Sequence, residues 1–195
     1  MTAARNRKES GTAERVLDIA ERLVQVRGFS NFSYADIAKE LGITKASLHY
    51  HYPGKAELGE ALITRYAARF DDALDDIDRD APSARAKLEA YADLYAGVLR
   101  NERMCMCGML AAEYPTLPRA MQSEVIRFFD DNQRWLASLL EQGKADGTLA
   151  YTGRAEDAAQ GILSTLEGAM LVARPYGDLA RFDAATKQLL SGLTP

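Results

Sequence analysis

The sequence of 195 residues has only two cysteines and two histidines, which leaves little for cross-links or metal binding. Cys105 and Cys107 are two positions apart, so a disulfide between them would not connect distant parts of the chain. His49 and His51 point in different directions on a helix, and no cysteine or carboxylate lies beside them in the sequence. We therefore expect no metal site and no cofactor.

The sequence also lacks the motifs of common enzymes and of membrane segments. It contains no glycine-rich phosphate loop, no G-x-S-x-G motif, and no histidine outside positions 49 and 51 to act as a base. No apolar run approaches the roughly 20 residues that a membrane-spanning helix needs. The first residues are polar and basic with no apolar segment after them, unlike a secretory signal. These absences predict a cytoplasmic protein that is not an enzyme and has no membrane partner.

What the sequence does contain is an uneven distribution of charge. Residues 1–55 hold nine Lys and Arg against six Asp and Glu, whereas the remaining residues hold 15 against 22. The net charge of −4 therefore combines a cationic N-terminal segment with an anionic remainder. A positive segment at one end is suited to approach phosphate groups.

Apolar residues recur at spacings of three and four through most of the chain, and no segment alternates as a strand would. The pattern predicts an all-α fold of about nine helices. We expect a disordered basic tail at 1–11 and a three-helix domain at 12–54. A larger helical domain is expected at 55–195, and it begins with a connecting helix at 55–80.

Caps and helix breakers predict several boundaries. Thr12 is expected to cap the first helix, which stops at Gly28. A long helix is expected from Arg119 to about Gln142, with Gly143 and Gly147 ending it. Further helices are predicted at 104–112, 154–173 and 179–193.

Two short helices joined by a glycine follow the first helix. Ser33 is expected to cap one of them, and Gly42 supplies the left-handed residue that a tight turn needs. Thr44 is expected to cap the other, which must end before Pro53. This layout is typical of a helix-turn-helix, whose second helix enters a major groove. A three-helix packing unit without a DNA role has the same periodicity.

The segment Arg15–Leu58 resembles the DNA-binding domain of the tetracycline-repressor-type (TetR) regulators. The resemblance rests on the first-helix pattern RVLDIAERLVQVRGF and on the core YADIAKELGITKASLHYHYPGKAEL. It implies a repressor that binds double-stranded operator DNA as a homodimer and is released by a small-molecule effector. One alternative is a helical ligand-binding protein whose N-terminal domain does not bind DNA.

The resemblance also implies roles for individual residues. It places Lys45 and Ala46 at base edges, where Lys45 could donate to guanine and Ala46 could meet a thymine methyl. His49 stands where the family usually has tyrosine, so its contact is left open. The expected DNA-binding residues are Ser33, Tyr34, Thr44, Lys45, Ala46, Ser47, His49, Tyr50, His51 and Lys55. Tyr50, His51 and Lys55 are expected at phosphates, and Ser33, Tyr34 and Ser47 near the DNA backbone.

In the TetR arrangement, middle helices of the C-terminal domain enclose an effector pocket and the last two form the dimer interface. Aromatic and methionine side chains suit an apolar or aromatic effector. The expected pocket residues are Tyr91, Tyr95, Met104, Cys105, Met109, Phe128, Phe129 and Trp135. The expected interface residues are Ala158, Gly161, Ile162, Thr165, Leu166, Ala169 and Met170. Ordinary core packing would give the same pattern.

The run Met104–Gly108 holds both cysteines. We expect both to pack in the core as buried free thiols. The alternative function is a repressor that senses oxidants or electrophiles through Cys105 or Cys107. The two side chains would point about 200° apart on a helix, which makes a disulfide between them geometrically poor.

Overall fold

The computed structural model describes residues 2–194, with side chains from Gly11 onward. This part of the chain forms nine α-helices and no strand, as the sequence predicts. The helices are α1 (Thr2–Arg27), α2 (Tyr34–Leu41), α3 (Lys45–His51), α4 (Lys55–Asp80), α5 (Ala84–Arg100), α6 (Met106–Ala112), α7 (Arg119–Ala145), α8 (Ala155–Ala173) and α9 (Leu179–Ser191). None of the described helices is long and apolar enough to cross a membrane.

The helices divide into two compact units. Unit 1 contains the residues up to Ala67 together with Met106–Val125. Unit 2 contains Ala68–Cys105 and the residues from Ile126 onward. This division is not the boundary between residues 54 and 55 expected from the sequence, because the first half of α4 and all of α6 belong to unit 1. The functional division into a DNA-binding and an effector domain stays a prediction.

Unit 1 is built on α1, which contacts both α2 and α6, while α3 packs on α2. Its core includes Val16, Val24, Ile37 and Leu48, which are fully buried. These residues come from three different helices, so burying their apolar surface fixes the position of short helices that would be unstable alone.

An ion-pair cluster joins α4 to α1 within unit 1. The guanidinium of Arg65 lies 2.8 Å from Asp18 and 2.9 Å from Glu21. Glu21 is buried, so its carboxylate needs this partner to offset the loss of hydration. These two ion pairs hold the first half of α4 against α1.

Unit 2 is a bundle in which α8 contacts α9 and both contact α5. Tyr91 and Tyr95 of α5 are among its largest fully buried side chains, together with Phe182 of α9. The apolar stripe of α8 that faces this core contains Ala159, Ile162, Leu166 and Met170. Of the aromatic side chains Tyr91, Tyr95 and Phe182, the two tyrosines carry a hydroxyl group.

Several predicted boundaries are wrong in detail. α1 includes Thr2, so Thr12 is not its N-cap; Gly11 lies inside the helix, where a glycine lowers helix stability but does not have to end it. The predicted disorder of the basic tail falls largely on residues whose side chains lie outside the described part. α7 continues past Gly143 to Ala145, and the chain turns only at Gly147, which has a positive φ. At Gly143 a Cβ atom would lie 2.5 Å from the Leu149 side chain, so this glycine allows close packing and does not end the helix.

Candidate functional site

The turn between α2 and α3 has the geometry that a helix-turn-helix requires. Gly42 follows α2 in the left-handed conformation with φ of 67°, which glycine adopts at little cost. Thr44 begins α3, and its Oγ1 accepts a hydrogen bond from the backbone N–H of Ser47 at 3.2 Å. The structure thus confirms the predicted turn and cap.

Helix α3 buries one side chain and exposes most of the others. Leu48 is 0% exposed and anchors the helix in unit 1. Lys45, Ala46 and Tyr50 are exposed, Tyr50 to 72%. An exposed cation, a methyl group and a phenol on one short helix can donate to guanine, contact thymine and bond a phosphate, respectively. Ser47 and His51, also predicted at DNA, are half-buried.

Tyr34 and His49, two of the residues predicted to contact DNA, form hydrogen bonds with the turn after α3. The hydroxyl of Tyr34 lies 2.6 Å from the carbonyl oxygen of Gly54 and 2.9 Å from that of Tyr52. Burial raises the pKa of Tyr34 to about 12, so this hydroxyl keeps its proton. Nδ1 of His49 donates to the carbonyl oxygen of Pro53 at 2.9 Å. Both side chains therefore position the end of α3, and a DNA contact for either stays a prediction.

The ammonium group of Lys55 is also used within unit 1. Its Nζ donates to the carbonyl oxygen of Phe32 at 2.6 Å and lies 4.8 Å and 4.4 Å from the ring centroids of Phe29 and Phe32. Desolvation lowers the pKa of Lys55, against the opposing charges of Glu113 and Asp36. In this conformation Lys55 joins the start of α4 to the segment before α2, and its predicted phosphate contact remains untested.

Ser33 and Asp36 close the N-terminus of α2. The backbone N–H and the Oγ of Ser33 each donate to Oδ2 of Asp36 at 2.7 Å. These bonds lower the pKa of Asp36, so a carboxylate sits at the helix end where the predicted backbone contact of Ser33 would be made.

Glu113 was not predicted to have a structural role, yet it forms hydrogen bonds with the segment that follows α1. Its Oε2 accepts from the backbone N–H and the Oγ of Ser30 at 2.8 Å and 2.6 Å. Gly28 has φ of 88°, and a Cβ atom there would lie 2.0 Å from Oε1 of Glu113. No local pattern predicts this contact, because 83 residues separate Ser30 from Glu113.

The predicted pocket residues in unit 2 form an aromatic cluster. Phe70 of α4 meets Tyr91, Tyr95 and Phe128 edge to face, with ring centroids 6.1 Å, 6.2 Å and 5.2 Å apart. Trp135 stacks on Tyr91 at 5.4 Å. We call Phe70, Tyr91, Tyr95, Phe128 and Trp135 the aromatic cluster. Phe129 adjoins it through Phe128 at 5.5 Å, whereas Met109 belongs to unit 1.

Hydrogen bonds connect the polar atoms of this cluster. The Tyr91 hydroxyl donates to Oδ1 of Asn132 at 3.0 Å, and Nδ2 of Asn132 donates to the carbonyl oxygen of Phe128 at 2.8 Å. The hydroxyls of Tyr91 and Tyr95 are 3.1 Å apart. A hydroxyl has a single hydrogen. Since Tyr91 gives its hydrogen to Asn132, Tyr95 must donate to Tyr91.

Glu167 of α8 is a buried carboxyl group beside these tyrosines. Burial raises the pKa of Glu167 to about 7, against a smaller effect of its hydrogen bond with Cys105. The pKa of Tyr95 is also raised, first by burial and then by the charges of Tyr91 and Glu167. Oε1 of Glu167 is buried and has no hydrogen-bond partner among the described residues. Asn132 and Glu167 were missed, although each interrupts an apolar helical stripe.

Both cysteines are buried, and neither forms a disulfide bond. Reactive thiols in proteins are accessible and lie near positive charge, whereas Cys105 lies beside the carboxyl group of Glu167. This environment does not favour the thiol-sensor alternative, which stays a prediction. Met104 is buried as well. Among the residues with described side chains, no group of three His, Cys, Asp or Glu could hold a metal ion.

The exposed face of α8 differs from the predicted dimer interface. Ile162, Leu166 and Met170 are buried inside the single chain, so they cannot contact a partner in this conformation. Gly161 and Thr165 are exposed as expected, and Ala158 and Ala169 are half-buried. The predicted set combined residues from two faces of one helix. It omitted exposed residues of the outer face, namely Gly168, Leu171 at 63% and Val172 at 60% exposure.

A capped helix-turn-helix in unit 1, in a chain whose second unit is also all-helical, defines a helix-turn-helix DNA-binding protein. A family model described as "Bacterial regulatory proteins, tetR family" matches residues 16–62. A second model, "Tetracyclin repressor-like, C-terminal domain", matches residues 84–189, which is more than half of the chain. The chain belongs to the TetR family of bacterial transcriptional regulators.

Individual relatives agree with this assignment. The transcriptional regulator AcuR of Cereibacter sphaeroides is 29% identical over 153 residues, covering 76% of this chain and 69% of AcuR. A TetR-family regulator structure from Agrobacterium tumefaciens is 34% identical with a TM-score of 0.93, over 96% of this chain and 100% of that one. A TetR regulator structure from Legionella pneumophila is 32% identical with a TM-score of 0.85, over 93% and 96% of the two chains.

Proposed function

We propose that this regulator binds operator DNA as a homodimer through α3, and that a small molecule bound in unit 2 releases it. In this proposal the regulator acts by binding and not by catalysis. It binds chromosomal DNA in the cytoplasm. The observation that carries the DNA-binding part is the exposed side of α3, where Lys45, Ala46 and Tyr50 extend from a helix anchored by Leu48.

The outer face of α8 supports a two-fold dimer. Gly161, Thr165, Gly168 and Val172 follow one another at helical spacing and are exposed, and nothing lies within 4 Å of a Cβ atom built at either glycine. Small residues allow two helices to approach closely, and Leu171 and Val172 add apolar surface that a partner would cover. A short helix contacts few bases, so two copies are needed for a specific operator.

The aromatic cluster supports the effector part of the proposal. It contains side chains from α4, α5 and α7, and α4 is one continuous helix from Lys55 to Asp80. A ligand that separates Phe70 from its aromatic neighbours would displace the second half of the helix whose first residue is Lys55. The effector must bind the released conformation more tightly than the DNA-bound one.

Footprinting and light scattering test the operator and the dimer together. We expect a near-palindromic site in the DNA next to the gene, with half-sites about one helical turn apart or a multiple of it. A Leu171→Glu, Val172→Glu double variant should be monomeric and should lose operator binding at nanomolar concentration.

The matched control is Ile126→Glu, which changes an exposed apolar residue on α7 of unit 2. This variant should remain dimeric and bind DNA as the unmodified protein does. A single asymmetric half-site protected by a monomer would contradict the proposal, and so would a double variant that still dimerises.

A further inference from the structure

We propose that Glu167 and the aromatic cluster form a recognition site for a small organic cation, namely a protonated amine on an aromatic or apolar body. The proposal rests on the proposed function, because it names the chemical class of the effector that unit 2 would bind. Its first support is the carboxyl group of Glu167, whose buried Oε1 lacks a hydrogen-bond partner among the described residues.

The neighbouring hydroxyls cannot satisfy this oxygen. Tyr91 gives its only hydrogen to Oδ1 of Asn132, and Tyr95 must therefore give its own to Tyr91. The Asn132 amide is bonded to the Phe128 carbonyl oxygen. The Cys105 thiol is hydrogen-bonded to the carboxyl group of Glu167, but Oε1 itself has no partner among the described residues. A ligand that brings an N–H group would therefore complete this oxygen.

The surroundings select the charge of that ligand. The negative charge of a carboxylate attracts a cation and repels an anion, and the effect is larger where water is excluded. Aromatic ring faces also stabilise cations, and five aromatic side chains form the cluster. An amine joined to an apolar body can use both features, whereas a carboxylate, which carries a negative charge and has no hydrogen to donate, can use neither.

Access is set by the outer members of the cluster. Phe70 and Trp135 are half-buried, whereas Tyr91, Tyr95 and Phe128 are buried beneath them. Nε1 of Trp135 donates to Asp78 at 2.9 Å. Separation of these rings would admit the ligand, so binding changes the environment of the only tryptophan in the chain. Tryptophan fluorescence therefore reports occupancy without DNA or an operator.

Three probes with similar aromatic bodies test the inference: 2-phenylethylamine, 2-phenylethanol and 3-phenylpropionate. At pH 8 we expect the amine to bind the full-length protein about tenfold or more tightly than the alcohol, because it adds a charge-assisted hydrogen bond. The carboxylate should bind more weakly than the alcohol. Glu167→Gln should remove the preference for the amine, while Glu141→Gln, an exposed glutamate of α7, should retain it.

The pH dependence provides a second readout. Because burial raises the pKa of Glu167 to about 7, its ionised fraction increases about tenfold between pH 6 and pH 8, and affinity for the amine should increase by about the same factor. Tyr91 and Tyr95, the tyrosines beside Glu167, have raised pKa values and keep their protons in this range. Cys105 is the remaining ionisable neighbour, and Cys105→Ser should show the same pH dependence.

Equal or tighter binding of the alcohol or the carboxylate by the unmodified protein would overturn the inference, even if Glu167→Gln failed to fold. Failure of the amine to bind at millimolar concentration would overturn it as well. Neither result affects the proposed operator binding, which is measured separately by footprinting. Conversely, a protein that did not bind DNA could still show the amine preference, so the two proposals fail independently.

Discussion

The two compact units place their polar groups in opposite ways. In unit 1, Lys45 and Tyr50 are exposed on α3, and the buried Leu48 only holds the helix in place. In unit 2, the polar atoms of Tyr91, Tyr95 and Glu167 are enclosed with aromatic rings. A surface for DNA needs no cavity, because the partner is a large polyanion. The proposed small-molecule site in unit 2 instead holds polar groups away from water, which lowers the stability of the fold until a ligand is bound.

If this contrast holds, mutation of a buried residue of α3 should lower stability, whereas mutation of an exposed one should not. The largest loss of stability should come from Leu48. Leu48→Ala should lower the free energy of unfolding by about 2–5 kcal/mol, because it removes a fully buried side chain that joins α3 to unit 1. Urea unfolding followed by circular dichroism measures the loss. Tyr50→Ala on the same helix is the control and should change stability by less than about 0.5 kcal/mol.

In unit 2, burial of the Glu167 carboxyl group should lower the free energy of unfolding by an amount that depends on pH. The pKa of Glu167 is raised from 4.5 to about 7. The folded protein therefore retains a proton that the unfolded chain has lost, and stability falls as pH rises through this range. Glu167→Gln removes this pH-dependent loss of stability. Between pH 5 and pH 8 the free energy of unfolding of the variant should therefore increase by about 2–3 kcal/mol relative to that of the unmodified protein.

Urea unfolding at several pH values measures this difference, and Glu141→Gln should follow the unmodified protein throughout. Parallel pH profiles for Glu167→Gln and the unmodified protein would show that Glu167 is not a buried, titrating group. The contrast between the units would then lose its energetic basis.

A smaller effect is expected from the hydroxyl that holds the turn after α3. Tyr34→Phe removes the hydroxyl hydrogen that is shared between the carbonyl oxygens of Tyr52 and Gly54 and should lower stability by about 1 kcal/mol. It should also weaken operator binding, because the C-terminal end of α3 loses its attachment. Tyr50→Phe, which changes an exposed hydroxyl, should leave stability unaltered; equal losses in both variants would contradict the positioning role of Tyr34.

The parts of the fold that depend on local sequence could be predicted. Gly42, Thr44 and the apolar spacing around Leu48 define the helix-turn-helix without reference to the rest of the chain, and α4 has the predicted bounds. The start of α1 and the end of α7 were missed, because a glycine within a helical segment does not by itself show whether the helix stops there.

Contacts between distant residues could not be predicted in the same way. The hydrogen bonds of Lys55 with Phe32 and of Glu113 with Ser30 depend on how helices pack, and no local pattern indicates them. The aromatic side chains of the predicted pocket were named from composition, whereas Asn132 and Glu167, which lie beside Tyr91 and Tyr95, were identified only in the structure. The two faces of α8 were confused, because small residues occur on both of them.

The most direct test of the account is the base preference of operator binding by Lys45→Ala. We expect this variant to keep its stability within about 0.5 kcal/mol, since Lys45 is exposed. It should lose about 1–3 kcal/mol of operator binding and discriminate less at one base pair in each half-site. Lys187→Ala, which changes an exposed lysine of α9, is the control and should bind every operator variant normally. Unchanged base preference in Lys45→Ala would contradict the assignment of α3 as the helix that contacts the bases.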